Sequence, residues 1–237
     1  MFKNFGLGVL ASLLAACGAL QPRHPAPPGP PAAPALETPL AGKSYTIDAG
    51  SSELRILVYR AGPLARLGHN HVMVNRALRG AVNVTERGTA SFSLDVPVAA
   101  FAVDELAARQ EEGADFGGEI PEDAKSGTLH NMLSAAVLDA AEFPLISVKG
   151  TASADAQASG TRRLVATVAF SVAGHESTID VPFVLESDSS RLSASGSLEL
   201  RQSALGLTPY SLMLGALQVQ DAITIKFRLV ASSQEPA

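Results

Sequence analysis

The sequence predicts an all-β domain of antiparallel strands. Three observations carry this: apolar residues recur at every second position from Tyr45 onward, small polar clusters punctuate those runs, and one acidic stretch alone interrupts the alternation. Phe92, Leu94 and Val96 alternate with Ser91, Ser93 and Asp95, and Leu164, Ala166, Val168, Phe170 and Val172 share one face. Ile179, Val181, Phe183 and Leu185 alternate with Thr178, Asp180 and Pro182. Leu192, Ala194, Leu198 and Leu200 oppose a serine-rich face, and Ile223, Ile225, Phe227 and Leu229 oppose Thr224, Lys226 and Arg228. One apolar and one wet face is the mark of antiparallel strands around one interior, since buried parallel strands would be apolar on both faces. Roughly 190 residues with about eight such strands suit a sandwich or a closed barrel, and closure removes exposed sheet edges.

The elements follow in order. Lys3, the apolar run Phe5 to Ala16 and the small pair Ala15-Ala16 before Cys17 read as a signal peptide over residues 1–16, too short to span about 30 Å of hydrocarbon as a helix. Cys17, the single cysteine, stands where the bacterial lipoprotein signal places its acylated residue. The pattern therefore predicts lipidation at Cys17 and a lipid-anchored, periplasm-facing protein of the bacterial envelope. Gly18 follows in place of an inner-membrane retention aspartate, which favours the outer membrane. Residues 17–42 form a Pro/Ala-rich tether: Pro22, Pro25, Pro27, Pro28, Pro30, Pro31 and Pro34 keep it extended. Residues 43–232 hold the domain, and 233–237 a short tail.

Turns are expected at Ala49-Gly50-Ser51-Ser52, Glu86-Arg87-Gly88, Ala158-Ser159-Gly160, Ala173-Gly174-His175 and Ser187 to Ser190. The stretch Asp104 to Asp123 carries eight acids against one base, Arg109, and reads as a solvated loop with a short helix near Glu105 to Glu112. Its acids lack the alternate-residue spacing and the glycine of an EF-hand calcium loop. A second helix is expected over Leu129 to Leu138, with Leu129, Met132, Leu133, Ala136 and Val137 on one stripe, ended by Pro144.

Composition excludes several functions. Of 18 Lys+Arg and 23 Asp+Glu, only Lys3 leaves with the signal peptide, so the mature chain stays acidic and is a poor ligand for nucleic acid. With Cys17 acylated, no disulfide is available. No Gly-x-Ser-x-Gly, phosphate-cradling loop or serine–base pairing is present, and no enzyme activity or cofactor is expected. His69 and His71, two apart on an extended chain, would point the same way and could present two imidazoles to zinc or copper if His130 or His175 approached. The competing reading has the pair closing a turn after Gly68, with Asn70 satisfying local backbone groups.

The order of landmarks resembles the YceI family, lipocalin-like polyisoprenoid-binding proteins of the bacterial periplasm. The resemblance rests on Tyr45-Thr46-Ile47-Asp48 with Ser51-Ser52-Glu53-Leu54, then His130, Asp139 and Glu142-Phe143-Pro144-Leu145-Ile146, then Phe170 to Thr178, Ser203-Ala204-Leu205-Gly206-Leu207 and Val219 to Ile225. Lys125 to Leu129 stands where that family often has Arg-Asp. The resemblance implies an eight-stranded antiparallel barrel, with a helical and loop insertion around 104–140, enclosing an apolar tunnel for an isoprenoid chain such as a quinone or polyprenyl lipid. Its lining would come from Leu54, Ile56 and Val58 in the first strands, and from Phe92, Leu94 and Phe101 next. Met132, Leu133, Phe143 and Ile146 would follow from the insertion and its exit, and Phe170, Val172, Phe183 and Phe227 from the later strands. The alternatives are a metal-binding protein built on His69 and His71, and a solidly packed structural envelope protein.

Overall fold

A computed structural model describes residues 42–153 and 160–233. The signal peptide, Cys17, the tether and residues 234–237 lie outside the described residues, as do Ala158 and Ser159 of one expected turn.

The chain runs β1 (Gly42–Ile47), β2 (Glu53–Ala61), β3 (His71–Asn75), β4 (Arg79–Thr85), β5 (Thr89–Pro97), β6 (Ala102–Val103), α1 (Leu106–Glu111) and α2 (Glu122–Leu133). It continues β7 (Leu145–Ser153), β8 (Gly160–Val172), β9 (His175–Ser187), β10 (Arg191–Arg201), β11 (Ser211–Leu212) and β12 (Leu217–Ser233). The ring order is β1-β4-β5-β7-β8-β9-β10-β12, and β12 returns to β1 through Tyr45↔Ser233, Thr46↔Ser232 and Ile47↔Ala231. Eight antiparallel strands thus close a barrel and leave the ring no free edge.

The first three lanes of the barrel are each broken once. β1 and β2 lie along the same side of β12, one against residues 231–233 and the other against 218–228. β4 and β3 continue beside them, then β5 and β6. Side chains replace the missing ladder bonds at the breaks. The buried Ser52 hydroxyl accepts from the Val230 amide at 2.9 Å. Buried Asn75 donates from Nδ2 to the Pro97 carbonyl at 2.8 Å and accepts at Oδ1 from the Ala77 amide at 3.0 Å.

β8 and β9 are the longest regular hairpin, 13 residues each, turning at Ala173-Gly174 with φ of +46° and +77°. Left-handed backbone at both central positions matches the strand twist. At about 3.3 Å per residue such a strand measures roughly 43 Å, which a tilt of about 40° shortens to ~33 Å along the axis. The next ladder is much shorter. β9 and β10 pair only from Leu192↔Ser187 to Ser195↔Val184, and the pairing stops just before Pro182, which has no amide to donate.

One expectation needs correction and another is met only in part. The second helix is α2, Glu122–Leu133, not Leu129 to Leu138. It begins after Pro121, with Glu122 and Asp123 favouring the positive end of the helix dipole. It ends where the Ser134 hydroxyl donates to the Asn131 carbonyl at 2.7 Å and Ser134 itself turns extended. The acidic stretch contains the expected short helix, α1, and is largely exposed, but it is anchored by buried residues. Asp104, Arg109, Phe116 and Ile120 are buried. Ala108 and Phe116 pack with Leu57, Val72, Val74 and Tyr59 on the outer face of β2 and β3, forming a second core outside the barrel. Arg55 joins Glu112 at 2.8 Å, Glu111 at 2.9 Å and Glu53 at 2.6 Å, while Arg76 joins Glu53 and Glu105. Glu105, Glu111 and Glu112 are thus met by bases distant in sequence, while Asp115, Glu119, Glu122 and Asp123 stay exposed.

Candidate functional site

Strand alternation sends Tyr45, Ile47, Leu54, Ile56, Val82, Val84, Phe92, Leu94 and their counterparts on later strands inward. They do not fill the barrel. A cavity of about 730 Å³ runs between them, within the range of about 300–1,000 Å³ usual for ligand sites. One end is closed by Met132 of α2 with Leu138, Phe101, Leu205 and Leu207. The other end, where β8 starts and β9 finishes, carries Arg162, Ser187, Asp188 and Ser189 in its wall.

Two glycines keep the lumen open. Phe92 stands opposite Gly150 across β5 and β7, and Phe227 opposite Gly196 across β12 and β10. A Cβ on Gly150 would lie 2.3 Å from Phe92 Cζ, and one on Gly196 would lie 2.6 Å from Phe227 Cζ. Each ring therefore lies flat over a backbone without a side chain instead of projecting across the lumen.

Of the residues expected to line a tunnel, the structure brings Leu54, Ile56, Phe92, Leu94, Phe101, Met132, Ile146, Phe170, Val172, Phe183 and Phe227 into one wall. Val58, Leu133 and Phe143 stand outside it. Val58 lies near the point where the β2–β12 ladder shifts register, and packs on the cluster containing Met73 and Leu78. Leu133, the last residue of α2, packs with Val98, Leu138 and Val172 beyond the closed end. Phe143 lies under the hairpin turn, its ring covering Gly174.

The sequence reading missed Arg162, Gly150 and Gly196. Their signal was parity: Arg162 is in step with Leu164 and Ala166, Gly150 with Ile146 and Val148, and Gly196 with Ala194 and Leu198. The Arg162 guanidinium donates from Nη2 to Ser187 Oγ at 3.3 Å. Asp188 turns its carboxylate to the β9–β10 turn. Oδ1 accepts from the amides of Ser190 at 2.8 Å and Arg191 at 2.7 Å, and these bonds hold its carboxyl below the usual range. The Lys43 ammonium donates to the Ser189 carbonyl at the same rim.

Among the described residues the histidines do not gather into a metal centre. His71 Nδ1 sits 2.6 Å from Asp104 Oδ2, while the other oxygen of Asp104 accepts from the Val72 amide at 2.9 Å and from Arg109 Nη1 at 2.6 Å. Burial pushes the Asp104 carboxyl up, but His71, the Val72 amide and Arg109 outweigh it and hold it below its ordinary value. The His69 ring lies edge-on to that of His71, centroids 6.3 Å apart. Among the described residues no three His, Cys, Asp or Glu side chains converge on one point. Asn70 bridges the local turns, accepting at Oδ1 from the Arg60 amide and donating from Nδ2 to the Asp115 carbonyl, each at 3.0 Å.

A closed antiparallel barrel around an apolar lumen with one polar rim is the architecture of the lipocalin-like fold. The profile of the YceI-like domain matches residues 45–231, and the chain belongs to that family. No curated protein matches it by sequence. Among solved structures, it is similar to a polyisoprenoid-binding domain from Saccharophagus degradans implicated in plant cell wall breakdown. The two are 13% identical over 81% of this chain and 99% of that one, with a TM-score of 0.55. It is also similar to BcnA of Burkholderia cenocepacia, 16% identical over 78% of this chain and 98% of that one, with a TM-score of 0.52. At these identities the likeness is one of fold.

Proposed function

We propose that the domain sequesters one isoprenoid chain, of the quinone or polyprenyl kind, in the barrel lumen. We further propose that it does so while anchored through Cys17 to a bacterial membrane, facing the periplasm, with the outer membrane favoured by Gly18. The observation that carries the reading is the lumen of about 730 Å³ walled by aliphatic and phenyl groups. The description of the Saccharophagus degradans domain as polyisoprenoid-binding lends support. Burial at about 25 cal/mol per Å² gives ~7.5 kcal/mol for roughly 300 Å² of guest surface before association costs, so hydrocarbon transfer alone suffices and no chemistry is required. The two broken-lane side chains, Ser52 and Asn75, satisfy the backbone without presenting polar groups to the guest. Organic extraction of the protein purified from its own membrane, followed by mass spectrometry, should yield one isoprenoid per barrel. A clean extract from that source overturns the reading.

A further inference from the structure

β12 outruns the barrel wall. Its ring neighbour β10 ends at Arg201, opposite Ala222, while β12 starts at Leu217 and folds back there on β11 through Leu212↔Leu217 and Ser211↔Gln218. The turn of this projecting hairpin is Met213-Leu214-Gly215, with φ of +51°, +56° and +90°. Left-handed backbone is the natural place for Gly, Asn or Asp, which also suit water. Here it holds methionine and leucine, 71% and 108% exposed, with exposed Leu212 before them. The loop after β2 packs against the same hairpin. The Leu64 amide donates to the Ala216 carbonyl at 2.8 Å, and Gly62 and Gly68 lie against residues 215–217. That loop adds exposed Leu67 beside exposed Arg66.

The surroundings point to what covers these side chains. Residues 59–70 and 203–220 hold Arg60 and Arg66 but no Asp or Glu, in a chain of 23 Asp+Glu against 18 Lys+Arg. Asp115 meets Asn70 of the loop through its backbone carbonyl. Asp221 is engaged by the Ser203 hydroxyl at 2.7 Å and by Arg201. Four apolar side chains on a convex tip fall short of the roughly 20–30 residues a side of a stable protein pair. Apolar side chains beside arginine suit a bilayer surface, where the former enter the acyl boundary and the guanidinium stays among anionic headgroups. Residues 18–41, at up to about 3.3 Å each, can span roughly 80 Å, so an anchor at Cys17 leaves this end free to reach the bilayer.

We propose that hairpin 211–218 and Leu67 form a membrane-docking tip, which inserts Leu67, Leu212, Met213 and Leu214 into a bilayer carrying anionic phospholipid. This goes beyond the carrier reading and holds whatever the guest.

The sequence has no tryptophan, so a single introduced indole reports one place. Full-length Leu214→Trp, Leu67→Trp and Val165→Trp are purified in detergent and reconstituted into vesicles of phosphatidylethanolamine and phosphatidylglycerol, with and without bromine on the acyl chains. Val165, 58% exposed on the outward face of β8, is the side-wall control. Fluorescence of Leu214→Trp and Leu67→Trp should be lost on brominated lipid, and that of Val165→Trp should not. Adding Leu212→Ser and Met213→Ser to Leu67→Trp should abolish its quenching. Vesicles of brominated phosphatidylcholine alone should quench the tip variants less. Quenching of Leu214→Trp that is no greater than that of Val165→Trp, or as strong on phosphatidylcholine alone, overturns the proposal. A shift to shorter wavelength that grows with protein concentration and ignores bromine assigns the tip to a second copy of the chain, and overturns it too. If Leu214→Trp floats with the vesicles yet is not quenched, the tip proposal falls while the Cys17 anchor and the carrier reading stand.

Discussion

Replacing Gly150 by alanine tests whether glycine opposite phenylalanine is what keeps the lumen open. The new Cβ would lie 2.3 Å from Cζ and 2.7 Å from Cε1 of Phe92, and 2.9 Å from the Thr167 carbonyl oxygen. The Phe92 ring is the far end of a side chain and is what can swing, so it must rotate away from the wall and into the cavity, while the backbone carbonyl of Thr167 resists the remaining close contact. Overpacking of this kind costs about 1–3 kcal/mol. Chemical denaturation should report that loss, and guest occupancy by mass spectrometry should fall with it. Phe92→Leu in the same protein removes the ring that must move. The double variant should therefore be more stable than the sum of the single effects by about 1–2 kcal/mol and should regain guest. Additivity within about 0.5 kcal/mol, or unchanged occupancy in Gly150→Ala, would refute the reasoning.

Three further outcomes are expected. Asp104→Asn leaves the buried Arg109 guanidinium without its anion and should cost about 3–5 kcal/mol at neutral pH. The Asp104 carboxyl is held below the unfolded value of about 3.9, so its contribution is whole above that pH and is lost as pH falls through the folded value; urea titrations from pH 7 to pH 2 should show a flatter profile in the variant. His71→Ala, which removes a partner of that carboxylate, should cost about 1.5–3 kcal/mol, whereas exposed His69→Ala should change little and neither should alter the metal content measured by elemental analysis. Cys17→Ser should move the protein from the membrane pellet to the soluble fraction, and retention in the pellet would remove the lipid anchor from the proposal.

Strand alternation was legible wherever one face is wet, which holds for β5, β8, β9, β10 and β12. It was less informative on β2, where Leu57 and Tyr59 face a second core while Leu54 and Ile56 face the lumen. A nearly continuous apolar run was itself the sign of burial on both sides. The acidic stretch was only partly read because the counter-charges of Glu105 and Glu112, namely Arg55, Arg76 and Lys226, arrive from segments far away in sequence. Arg162 went unnoticed because a charged residue is read by default as solvent-facing, although its parity places it inside. The extent of α2 was obscured because Gly127 and Ser126 are poor helix formers, and the first-turn acids, not an apolar stripe, mark its start.

The uneven ladders have a consequence for traffic. Between β8 and β9 thirteen residue pairs zip the wall from Gly160↔Ser187 to Val172↔His175, whereas β9 and β10 are joined by four, all near the rim. Below Ser195↔Val184 the two strands lie side by side without regular amide bonds. A barrel stitched this sparsely along one line can part there while the remaining joints hold, so a long, branched hydrocarbon could slip in sideways through a slit instead of threading end-on through a rigid hoop. Pro182, two residues past the last paired position Val184, has no amide with which to carry that ladder further.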